Sequence, residues 1–178
     1  MWALVEDSKI SKVYSKPAQL TIGDIKYPSN IHNLWSEAEL KAIGIYEVVI
    51  DNTNYKDPKY YINTDQSFAF ASNKVTATYG TATAKDLDTL KTSHCEIIDN
   101  QAYGLLQPND WMVVRNAESS KAIPSDWLDY RVAVRTAATD MKTKINAVAN
   151  VDALAALYAY SGDPATRPLG EFPTEPTS

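Results

Sequence analysis

Apolar residues in the first eighty positions recur every second residue in short runs, and from about residue 86 they recur at steps of three and four, so the chain changes period once. Residues 2–5 and 9–14 are rich in strand formers and are separated by Glu6-Asp7-Ser8, which predicts a hairpin. Residues 20–27 alternate Leu20, Ile22, Ile25 and Tyr27 and predict one strand, irregular at Gly23 and stopped by Pro28. Ser36 and Glu39 stand at capping-box positions, Trp35 and Leu40 at those of a hydrophobic staple, and Gly44 follows; a short helix is predicted over 37–43. Residues 45–50, 60–63, 68–71 and 75–79 read as strands, the last two joined by a turn at Ser72-Asn73-Lys74. The expectation is a small antiparallel β-rich domain, residues 1–82, carrying one short helix.

Beyond the patternless 80–84 stretch, Leu87, Leu90, His94, Ile97, Gln101 and Leu105 predict one face of a helix over 86–106, ended at Pro108. Asn109 is placed to cap a short helix carrying Trp111, Val114 and Arg115. After a loop, Pro124 stands near the first position of a helix running to about residue 149. Its seam, Trp127, Arg131, Val134, Ala138, Met141, Ile145 and Val148, alternates steps of four and three, which predicts an antiparallel pair with the earlier long helix. Asn150 caps a last short helix with Leu154 and Leu157. The fold class is therefore α+β, with a helical hairpin or small bundle over 83–162. The tail, 163–178, holds four prolines and is expected to be extended or disordered unless a partner orders it.

Composition narrows the function. A chain of 178 residues that is 44% apolar can bury a core. The net charge of −5, with no cluster of Lys and Arg, argues against nucleic acid. Trp2-Ala3-Leu4-Val5 lacks a basic flank and is too short for a membrane span or export signal, so neither is expected. Cys95 stands alone and has no partner for an internal disulfide.

No HExxH, phosphate loop, GxSxG or paired-cysteine spacing is present, so an enzyme, a metal and a cofactor are not expected. His94 and Cys95 are neighbours on one predicted helix and point about 100° apart, which disfavours a base and nucleophile pair. Asp86, Asp88 and Asp126 fall at helix starts, where the helix dipole explains them. Arg131 is more informative. It lies on an apolar seam, and a buried guanidinium must be paired or stacked, with Asp110 as partner and Trp127 as stacking surface. The structural reading is a clasp between helices involving Asp110, Trp111, Arg115, Trp127, Tyr130, Arg131 and Arg135; the functional reading is contact with another protein. Tyr55, Tyr60, Tyr61, Phe70 and Tyr79, with Phe172 in the tail, are candidate partner-binding aromatics, against which stands ordinary cross-strand packing.

The series Asn109-Asp110-Trp111, Val114-Arg115, Lys121-Ala122-Ile123-Pro124, Trp127, Tyr130-Arg131 and Val134-Arg135 resembles the C-terminal region of bacteriophage tail assembly chaperone-like proteins, the tail-fibre assembly family. These show a Thr-Asp-Trp turn, an arginine shortly after it, and a Tyr-Arg…Arg helix. The resemblance covers about residues 86–150. Asn109 stands where threonine is usual, which keeps a side chain able to cap. Pro28-Ser29-Asn30-Ile31, Trp35-Ser36 and Glu39-Leu40 before Gly44-Ile45 also look like leading segments of such proteins.

The resemblance implies a non-catalytic tail protein that chaperones a fibre in the host cytoplasm. Alternatively, it implies a permanent component retained in the virion tail. Its partner would be a tail fibre or baseplate protein, and homo- and hetero-oligomers stay open. A third reading is a glycan-binding module using Tyr60, Tyr61 and Phe70.

Overall fold

The computed structural model describes residues 1–177 and divides the chain into two compact units, Met1–Thr83 and Ala84–Ser178. The fold is α+β, with strands in the first unit and long helices in the second.

Strands β1 (Trp2–Glu6) and β2 (Lys9–Tyr14) form the expected hairpin, turned by Asp7 and Ser8 at φ of 49° and 61°. Positive φ at both turn positions matches the right-handed twist of the flanking strands. Residues 20–27 do not make one strand. They fold into a second hairpin, β3 (Leu20–Ile22) against β4 (Ile25–Tyr27), because Gly23 takes φ +56° and turns the chain back instead of kinking it. A helical turn at α1 (Ile31–Leu34) was not anticipated, since four residues carry too little periodicity to register.

Helix α2 (Glu37–Ala42) starts at a complete capping box: Ser36 Oγ accepts from the Glu39 amide, and Glu39 Oε2 accepts from the Ser36 amide at 2.7 Å. Gly44 then passes the chain to β5 (Ile45–Asp51) at φ +80°, while its carbonyl accepts from Val5 N at 2.8 Å. A Cβ on Gly44 would sit 2.6 Å from the Val5 carbonyl oxygen, so only glycine fits there. The short β6 (Tyr61–Ile62) precedes β7 (Gln66–Ala71) and β8 (Lys74–Tyr79), whose hairpin turns on Ser72 and Asn73, again with positive φ.

The main sheet runs β2-β1-β5-β8-β7. It is antiparallel except where β5 pairs with β8 in parallel, Val48 opposite Val75, a departure from the wholly antiparallel expectation. Two local hairpins are thus joined through β5. One face holds Leu4, Tyr14, Leu20, Ile31, Leu40 and Ile45, covered by α1, α2 and the small hairpin. The sheet curls, bringing β2 and β7 together around Ala3, Val48, Val75 and Ala77, with Val13, Phe68 and Phe70 packed alongside.

In the second unit, Asp86 Oδ1 accepts from Thr89 N at 2.8 Å and starts α3 (Leu87–Leu106). A turn of 3-10 helix over Gln107–Asn109, with Pro108 in its first turn, leads into α4 (Asp110–Ser119). Helix α5 (Ser125–Ala147) follows, with Pro124 as its flanking residue and not inside it. Contacts of Cys95 with Asn146, Asp99 with Lys142 and Leu106 with Arg131 show α3 and α5 running antiparallel. Arg131, Val134, Ala138, Met141 and Ile145 of the expected seam are buried. The face of α3 is rotated from the expected one: His94, Ile98 and Ala102 are buried, while Ile97 and Gln101 face out. Helix α6 (Val151–Ala156) is capped by Asn150.

Among its described residues the tail has no helix, yet it is not free. Leu169 is 1% exposed; its amide donates to the Leu157 carbonyl at 2.9 Å, and Lys144 Nζ donates to the carbonyls of Pro168 and Leu169. The expectation of an extended or disordered tail left out Leu169, an apolar residue that the same unit buries.

Candidate functional site

Three of the motif residues, Asn109, Asp110 and Arg131, meet where α3 passes into α4. Asn109, only 2% exposed, donates through Nδ2 to the Leu105 carbonyl at 3.1 Å, and its Oδ1 accepts from Arg131 Nη1. The same Nη1 donates to the Leu106 carbonyl at 3.1 Å, and Nη2 donates to Asp110 Oδ1 at 2.6 Å. One guanidinium therefore ties the end of α3, the 3-10 turn and the start of α4 to α5. Asn109 makes no capping bond to α4; its side chain is used up between Leu105 and Arg131, which corrects the capping role expected for it.

The electrostatics are unequal across the ion pair. Arg131's side chain is 5% exposed and Asp110's is 50% exposed. Water screens the carboxylate, so the neutral acceptors, Leu106 O and Asn109 Oδ1, carry much of the burden of keeping the buried cation solvated.

Trp127 does not receive Arg131. It meets Tyr130 edge-on, with ring centroids 5.9 Å apart, and the arginine that lies over a tryptophan is Arg115, 4.7 Å from the Trp111 ring. That pair stands four residues apart on α4, a spacing that brings side chains together on one helix face. Arg135 is exposed and donates to the Arg131 carbonyl at 3.4 Å, outside the charged cluster. Tyr130 is buried, and its hydroxyl meets no hydrogen-bond partner among the described residues; burial, with the Glu175 charge adding, pushes its phenol above the ordinary value.

Of the expected partner-binding aromatics, Tyr60 is 5% exposed and so is no surface residue; burial first, then the nearby Asp57 charge, raises its pKa. Tyr55, in the loop after β5, packs on Tyr79 at 5.0 Å, and Phe70 packs on Tyr46 at 4.9 Å across the intervening β8, so these rings are engaged within the unit without being directly cross-strand pairs. Tyr61 lies under Lys56. Phe172 is half-buried and lines a groove with Gln101, Leu105 and Arg167. The six residues do not form one platform.

His94 is buried and its Nδ1 lies 2.6 Å from the Tyr158 hydroxyl, while Cys95 Sγ faces Asn146 Oδ1 at 3.9 Å; the two neighbours are engaged with different parts of the unit. Burial pushes the Cys95 thiol above its ordinary value, which lowers its thiolate fraction. Among the described residues no group of three or more His, Cys, Asp and Glu could hold a metal ion, and no helix is long and apolar enough to cross a membrane.

One grouping escaped the sequence. Trp2, His32, Trp35, Glu37, Leu40, Ile45 and Glu47 line a cavity in the first unit. The register that sets Trp2 opposite Glu47 was the missing signal, because strand pairing between β1 and β5 cannot be read from spacing alone. His32 is 6% exposed; its Nε2 lies 3.3 Å from the Ala18 carbonyl, and its Nδ1 is buried without a hydrogen-bond partner among the described residues. Such a buried, unmatched acceptor costs about 1–3 kcal/mol.

No known protein family, no curated protein and no solved structure matches the chain.

Proposed function

We propose that this chain is a non-catalytic bacteriophage tail protein that binds a fibre or distal tail protein during assembly. The carrying observation is that Asp110 and Arg131, two of the positions behind the resemblance to tail-fibre assembly proteins, are joined in one hydrogen-bonded device across α3, α4 and α5, with Asn109 completing it where the resemblance has threonine. A motif whose members depend on one another physically is a more specific signature than the same residues scattered. The device also fixes the start of α4, a helix that exposes Trp111, Val113 and Val114, while α5 exposes Leu128 and Val132. Exposed apolar side chains of this kind suit protein contact. This moves the expected docking area from the sheet and tail to the α4 and α5 surface.

The test is co-expression with the fibre protein of the same phage. The reading expects more soluble, oligomeric fibre when this chain is present, a complex that can be isolated, and no copies of this chain in purified particles by mass spectrometry. A fibre that assembles fully alone and never co-purifies with this chain overturns it. A fixed copy number per particle replaces it with a permanent tail component.

A further inference from the structure

The cavity lined by Trp2, His32, Trp35 and Glu47 has no part in the clasp, and its composition is unusual for a simple packing gap. We propose that it binds one primary ammonium or guanidinium head group, of the kind that a lysine or arginine side chain carries.

Size selects the class first. The cavity measures about 170 Å³, below the roughly 300–1,000 Å³ of sites that enclose drug-sized ligands. It has room for a head group and a short stem, and not for a nucleotide or an oligosaccharide.

The walls select the charge. Two indoles line it, and each is held from behind or beside: the Trp2 ring lies 4.7 Å from that of His32, and Trp35 meets Tyr27 edge-on at 5.8 Å. Aromatic faces attract cations through their quadrupoles. Glu37 and Glu47 stand at the same cavity, and among the described residues no lysine or arginine lines it. Lys41 is committed to Glu37 at 2.6 Å and lies over the Tyr46 ring. Glu47 has no ion-pair partner among the described residues, and it sits directly across from Trp2 in the β1–β5 register.

His32 selects a cation with N–H groups. The Ala18 carbonyl can only accept, so His32 Nε2 carries the ring hydrogen, and in the neutral ring Nδ1 is an acceptor. That acceptor is buried and without a donor among the described residues, in a ring that lines the cavity, so a small turn of the ring brings it to a bound head group. A primary ammonium or a guanidinium brings donors as well as charge; a quaternary ammonium brings charge alone.

The site does not depend on the tail-protein reading, and small probes test it by themselves. The full chain, labelled for ¹H–¹⁵N NMR, is titrated with butylammonium chloride and butylguanidinium chloride, with sodium butyrate and butanol as controls at constant ionic strength. The expected result is saturable shifts of the Trp2 and Trp35 indole N–H signals and of the His32 ring with both cations. The Trp111 and Trp127 signals stay still, butyrate gives no saturation, and butanol binds at least about tenfold more weakly than butylammonium, a difference of about 1.4 kcal/mol. Glu47→Gln, a change at an exposed position, keeps the native spectrum and weakens cation binding about tenfold.

Failure of either cation to saturate, equal affinity for butanol and butylammonium, or unchanged binding in a natively folded Glu47→Gln chain overturns the proposal. A blocked Gly-Lys-Gly peptide separates two sources of the same chemistry. Tighter binding than butylammonium assigns the head group to a polypeptide, weaker binding assigns it to a free amine, and both outcomes uphold the site.

Discussion

Arg131 on α5 donates to Asp110 at the start of α4 across 2.6 Å, joining a side chain that is 5% exposed to one that is 50% exposed. The two ends of this bond therefore differ in what their loss costs. Arg131→Ala removes the donor from the Leu106 carbonyl and Asn109 Oδ1 as well as from Asp110, and should destabilise by about 3–5 kcal/mol. Asn109→Ala should cost about 1–3 kcal/mol, and Asp110→Ala under about 1 kcal/mol because water already screens its carboxylate. Denaturant unfolding of the three variants checks the order; equal losses for Arg131→Ala and Asp110→Ala would show that the ion pair, and not the buried neutral acceptors, dominates.

Two glycines should respond in opposite senses to alanine. At Gly44, φ of +80° and a Cβ position 2.6 Å from the Val5 carbonyl make Gly44→Ala costly, by at least about 2 kcal/mol. Gly104 lies inside α3 with nothing within 4 Å of an added Cβ, so Gly104→Ala should stabilise by about 0.5–1 kcal/mol. Thermal melts of both variants decide, and a destabilised Gly104→Ala would mean that the groove beside it has a tighter neighbour than the geometry shows.

Leu169→Ala should destabilise by about 2–5 kcal/mol, since the residue is 1% exposed among the helices. Limited proteolysis should then cut near residues 163–168 faster than in the parent chain. Unchanged cleavage would place the tail's order in the Lys144 and Arg167 hydrogen bonds alone.

Acid should loosen the start of α3. The Thr89 hydroxyl, and then the Thr89 amide, hold the Asp86 carboxyl below its ordinary value of 3.8. Because the folded value is the lower one, the stabilisation is complete above 3.8 and is lost as pH falls through the folded value. The helical circular dichroism signal should fall over that range, and Asp86→Asn should flatten the Asp86 share of the change. Superimposable acid titrations of the two chains would refute the role of this cap.

Local chemistry was legible in the sequence wherever a residue's job depends on near neighbours. Ser36 with Glu39 and Asn150 before α6 are caps whose partners lie within three residues. Arg131 was singled out because charge on an apolar seam demands an answer. Asn109 was misread for the opposite reason: its partners are Leu105 nearby and Arg131 far along the chain, and the second outweighs capping. The rotation of α3's buried face, from Ile97 and Gln101 to Ile98 and Ala102, has the same origin, since adjacent positions fit a loose three-and-four pattern almost equally well until the partner helix chooses. The parallel β5–β8 pair and the grouping of Trp2 with Glu47 are long-range facts that no window of sequence contains.

The strand order β2-β1-β5-β8-β7 sets a timetable for synthesis. The first hairpin is complete once Tyr14 has left the ribosome, but β1 must wait for β5 before its second edge is paired, and β5 must wait for β8. During that interval the open edge, first of β1 and then of β5, is a template for mispairing. Nascent chains stalled after Asp51 should therefore be more prone to aggregate than chains stalled after Tyr79, when both hairpins can close on β5.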